Sequence, residues 1–116
     1  MKVDAKIVPG KEKTGLFSSK NTHDLQYTIH LTDVEKAVII KHGLKDWVIL
    51  ENSTPGYVDQ VLWPWLEHNH FDHNFYRCDT LAEAQVKLQQ LKKNLTELKQ
   101  AIDNVQEAPT EDSFEL

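Results

Sequence analysis

The sequence predicts an α+β fold, a small and mainly antiparallel sheet of about four strands covered by one short helix and one long C-terminal helix. Three observations carry this prediction. Apolar and polar residues alternate with a period of two near the N-terminus and again over residues 25–31. Two Thr-x-x-Glu strings, at 32–35 and 80–83, mark helix starts. An apolar seam then runs at three- and four-residue spacing from Leu81 to Val105.

Taken in order, Val3, Ala5 and Ile7 alternate with Lys2, Asp4 and Lys6, the pattern of a half-buried strand over 2–8. Pro9-Gly10 is read as its end. Residues 11–24 are rich in Lys, Ser, Thr and Asn, with Leu16-Phe17 as the apolar pair, and read as a long hairpin arm with a mobile tip. Leu25, Tyr27, Ile29 and Leu31 set against Gln26, Thr28 and His30 give a second strand. Thr32-Asp33-Val34-Glu35 is a capping box: the Thr hydroxyl accepts from the Glu35 N–H, and the Glu35 carboxylate accepts from the N–H of Thr32. Gly43 supplies the left-handed residue that ends a helix over 33–42.

Trp47-Val48-Ile49-Leu50 is a buried strand by its β-branched and aromatic content. Asn52-Ser53-Thr54-Pro55-Gly56 is turn chemistry. Residues 57–67 fit either period, and Pro64 is foreign to a helix interior, so a bent loop or a turn stopping before Pro64 is expected. Phe75–Cys78 reads as the last strand, giving the order β-β-α-β-loop-β-α. Residues 1–106 are read as a single domain, and 107–116 as an acidic, disordered tail.

The last helix, over 80–105, would be about 39 Å long at 1.5 Å per residue. A compact body of this size is roughly 25 to 30 Å across, so the final turns are expected to overhang it. Leu81, Ala84, Leu88, Leu91, Leu95, Leu98, Ile102 and Val105 occupy heptad a and d positions. The flanks carry Gln85, Lys92, Lys99 and Gln106 on one side and Lys87, Asn94 and Ala101 on the other. With no acid on either flank, a parallel self-pair lacks attractive partners. The first half of the seam is therefore assigned to the chain's own sheet, and Leu95, Leu98, Ile102 and Val105 are expected to meet a partner or a second copy.

The net charge of −5 is uneven. Asp103, Glu107, Glu111, Asp112 and Glu115 carry the C-terminal acid, and no Lys or Arg lies at or beyond 103, which leaves the body neutral. Arg77 is the single arginine. A neutral body whose bases are all lysine but for Arg77 lacks the footprint of a nucleic-acid binder, so no nucleic-acid partner is expected. No apolar run approaches a membrane span, so no membrane partner is expected either. The N-terminus lacks a signal-peptide apolar region, and the lone Cys78 fits a reducing compartment, so the reading is cytoplasmic.

His68-Asn69-His70-Phe71-Asp72-His73 is the one chemically specific string. Imidazole and carboxylate suit zinc, and an extended 67–71 would project His68 and His70 from one face. His73 would follow from the turn, and Glu67 or Cys78 is available as a fourth ligand. Over these six residues the string resembles the His-x-His-x-Asp-His signature of the metallo-β-lactamase-fold hydrolases. That resemblance implies zinc on His68, His70 and His73, with Asp72 serving a second metal. It stops there: Asn74-Phe75 replaces the family's Gly-Gly, and no His follows His73. The alternative is a polar loop anchored by Phe71. Tyr57, Trp63 and Trp65 are a candidate pocket or, alternatively, the plug of a small core.

No nucleophile elbow, phosphate loop or dinucleotide fingerprint is present. The function expected is a small, non-enzymatic interaction or regulatory module. It is expected to be a homodimer formed through the C-terminal helix or the sheet, with a protein partner as a further possibility. The alternative is a zinc-binding protein or metal-dependent hydrolase built on His68, His70, Asp72 and His73.

Overall fold

The computed structural model describes residues 1–52, 58–67, 75–107 and 115. In chain order the elements are β1 (Lys2–Lys13), β2 (Ser19–His30), α1 (Asp33–Lys41), a single 3-10 turn (Leu44–Asp46), β3 (Val48–Leu50), β4 (Gln60–Val61), α2 (Trp63–Glu67), β5 (Phe75–Cys78) and α3 (Leu81–Glu107). The fold is α+β, with an antiparallel sheet in the order β1-β2-β5 and a two-stranded sheet β3-β4. The long helix and the shorter α1 complete it.

β1 and β2 pair over their whole length, from Lys2 opposite His30 to Lys13 opposite Ser19. The strand therefore continues through Pro9-Gly10 instead of ending there. Pro9 is tolerated because β1 is an edge strand, where one missing N–H need not break a ladder. Gly10 is opposite Thr22, and a Cβ on it would run into the Thr22 hydroxyl and the Asp24 carboxylate. β5 pairs only with His23–Gln26, so the ribbon beyond Thr22 projects as a bare hairpin. Its tip carries Leu16 and Phe17, the latter 98% exposed.

The alternation expected of β2 holds. Leu25, Tyr27 and Ile29 are buried on one face beside Tyr76 and Cys78 of β5, and Trp65 stacks on Tyr27 with ring centroids 5.9 Å apart. Helix α2 runs through Pro64 instead of stopping before it. Pro64 falls in the first turn, where its missing N–H has no intrahelical acceptor to lose.

Both helix starts are where the sequence puts them. At Thr32 both arms of the capping box form, at 3.0 and 3.1 Å. At Thr80 the hydroxyl accepts from the Glu83 N–H at 3.2 Å, while the Glu83 carboxylate accepts from Asp79 N–H, one residue earlier than expected. Gly43 has φ 70°, the left-handed turn after α1.

The seam of α3 lies in the chain's own core. Ala84, Leu91, Leu95, Leu98 and Ile102 are all buried, the last two completely. The expected overhang is corrected: α1 packs against α3 with Glu35 beside Lys99, and Ile102, near the far end of the seam, is fully buried. Among the described residues no helix is long and apolar enough to cross a membrane.

Candidate functional site

The two flanks of α3 face different neighbours. On one, Lys87 Nζ donates to the Glu51 carbonyl at 3.1 Å and lies 4.9 Å over the Tyr76 ring, and Asn94 Nδ2 donates to the Ile49 carbonyl at 3.0 Å. Residues that look unpaired on a heptad wheel thus tie the helix to β3 and its following loop. On the other flank, Lys92 and Lys99 face β1.

Tied towards β3, α3 covers β2 more fully than β1. Ile29 is 6% exposed, whereas its ladder partner Val3 is 37% exposed. The uncovered strip is a cleft of about 460 Å³, with Val3 and Ala5 on one side and Leu88, Leu91 and Leu95 on the other. Lys92 and Lys99 stand at its rim. Among the described residues no strand pairs with the outer edge of β1.

One end of the cleft is fixed by charge. The Met1 α-ammonium lies 2.8 Å from Glu35 Oε1, and Lys99 Nζ lies 3.5 Å from Glu35 Oε2 and 2.9 Å from Asp103. Burial pushes the Glu35 carboxyl up, but the Met1 ammonium and the Thr32 backbone N–H outweigh it and hold the group below its ordinary value.

On the opposite face of the sheet, Arg77 grips Asp24 with two hydrogen bonds, and Thr22 Oγ1 donates to Asp24 at 2.9 Å. Here too burial pushes the carboxyl up, and the Arg77 and Thr22 hydrogen bonds more than offset it. The Arg77 guanidinium also lies 5.1 Å over the Phe75 ring. This is a structural clamp joining β2 to β5 under the cover that Gly10 leaves open.

Comparison with protein-family models, curated proteins and solved structures gives no significant match.

His68, His70, Asp72 and His73 lie outside the described residues, as does Tyr57. Of their suggested additional ligands, Glu67 is exposed at the end of α2. Cys78 is a buried free thiol whose pKa is pushed up, first by burial and then by Glu83. No group of three metal-ligating side chains occurs among the described residues.

Trp63 and Trp65 take separate roles. Trp65 is in the core, while Trp63 is 39% exposed with Lys45 Nζ 5.1 Å from its ring centre. Leu95, Leu98 and Ile102 are buried and Val105 is half-buried, so the folded chain does not present them as a free stripe. What sequence reasoning missed is the exposure of Val3 and Ala5. Their alternation was visible, but nothing in it showed that the long helix would leave them half covered.

Proposed function

We propose that this protein is a non-enzymatic interaction module that self-associates as a homodimer through the β1 edge of its sheet. The observation that supports this reading most is the cleft between β1 and α3. Val3, Ala5 and Leu88 form an apolar strip directly beside a strand edge that pairs with no other strand among the described residues. Exposed strand edges recruit further strands, and exposed apolar strips favour burial, so the two features act in the same direction. The contact proposed is thus the sheet, not the helix seam, because the seam is already occupied within the chain.

Sedimentation velocity over a range of concentrations tests the reading, comparing the wild type with Val3→Glu. Val3 stands at the exposed lip, so the variant is expected to fold. It should weaken self-association by at least about tenfold, since the contact would have to strip water from a carboxylate where the wild type buries a valine. A wild type that stays monomeric at high concentration contradicts the proposal.

A further inference from the structure

The sequence of the free edge specifies how a second copy would align on it, and the following rests on the self-association just proposed. We propose that the occupant of the β1 edge is the β1 strand of a second copy, antiparallel and centred on Ala5. The two sheets would then join into one with strand order β5-β2-β1-β1-β2-β5.

Core-facing residues must oppose core-facing residues, because a slip by one turns every side chain to the wrong face. In β1 the core-facing set is Val3, Ala5 and Ile7, opposite Ile29, Tyr27 and Leu25 of β2. A twofold axis at Ala5 sets Val3 against Ile7 of the second copy. On the outer face it sets Asp4 against Lys6 and Lys6 against Asp4, two opposite-charge pairs. The neighbouring permitted registers are worse. Centring on Asp4 opposes Asp4 to itself and Lys2 to Lys6, and centring on Lys6 opposes Lys6 to itself. Like charges directly opposite are destabilising and opposite ones stabilising, so charge selects the Ala5 register.

Two further features agree. Within its own sheet Asp4 is opposite Thr28 and Lys6 is opposite Gln26, so neither charge has a charged residue directly across the ladder. Asp4 makes one diagonal contact, with His30 Nε2 at 3.0 Å from Oδ2, which leaves its Oδ1 available. In the Ala5 register the paired run, residues 2–8, also stops at Pro9, which cannot donate to a new ladder. The twofold axis would bring two half-open clefts together, so that Val3, Ala5 and Leu88 of each copy close over one another.

Charge reversal tests this. Asp4→Lys should raise the dimer dissociation constant about tenfold, because two symmetry-related pairs change from attraction to repulsion. Asp4→Lys combined with Lys6→Asp should recover wild-type association. Both variants lose the His30 contact equally, so the comparison isolates the pairing between copies. Independently, Ala5→Cys should cross-link efficiently with a short bis-maleimide. Lys11→Cys should not, since this register holds the two copies of residue 11 about 41 Å apart. Cys78 is buried and stays out of the reaction.

A dimer indifferent to Asp4→Lys, not rescued by the double exchange, or cross-linked at position 11 and not at 5, overturns the register while leaving self-association standing. A monomeric wild type overturns both.

Discussion

Arg77 donates from Nε and Nη2 to the two carboxylate oxygens of Asp24, at 3.1 and 3.0 Å, directly across the β2–β5 ladder. Asp24 is 6% exposed although it points to the outer face of the sheet. The two-point geometry therefore works in a partly dry setting, where removing one partner leaves the other uncompensated.

Arg77→Ala is expected to cost about 2–4 kcal/mol, read from denaturant unfolding. The pH dependence follows from the sign of the shift. Asp24 and Glu35 both have folded pKa values below their ordinary ones, so their contribution is complete above the ordinary carboxylate range. It is lost as pH falls through the lowered folded values. Asp24→Asn should flatten the acid limb of the stability profile; an unchanged limb would show that the clamp is not linked to folding.

Gly10→Ala should destabilise by about 1–3 kcal/mol. The added methyl meets the Thr22 hydroxyl and the Asp24 carboxylate, and Arg77 holds that carboxylate in place. Thermal unfolding of Gly10→Ala beside a silent arm substitution such as Lys13→Ala checks this.

Exposure separates two large hydrophobes, Leu98 and Phe17. Leu98→Ala should cost about 2–5 kcal/mol, because Leu98 is fully buried. Phe17→Ser should change stability by less than about 0.5 kcal/mol, since Phe17 is almost wholly exposed at the hairpin tip. Equal effects would mean that the ribbon tip packs against something.

Chelator should leave self-association unchanged in sedimentation. The cleft side of the proposed contact is lined by apolar, Lys, Thr and Gln side chains, and no group of three His, Cys, Asp or Glu suited to a metal ion occurs among the described residues. Dissociation on metal removal would redirect attention to His68, His70 and His73.

Much of the fold was legible because local chemistry decided it. The Thr32 capping box, Gly43 and the alternation through Leu25, Tyr27 and Ile29 each depend on near neighbours in the chain. The missed features depended on distant ones. Pro9-Gly10 looked like a stop because its tolerance comes from the edge position of β1 and from Asp24 filling the space over Gly10. The distal seam looked unsupported because its cover comes from another helix, α1, with Glu35 beside Lys99. The cleft itself arises from Lys87 and Asn94 tying α3 to the β3 side, a preference that no periodicity encodes.

The most direct test of the proposed contact is amide hydrogen exchange of residues 2–8 at rising protein concentration. Outward-facing N–H groups of a free edge exchange quickly, and pairing with a second copy would protect them. Protection in this segment should grow with concentration and be lost in Val3→Glu, while the fully buried core around Leu98 stays constant. Exchange of residues 2–8 that is fast and independent of concentration would contradict it.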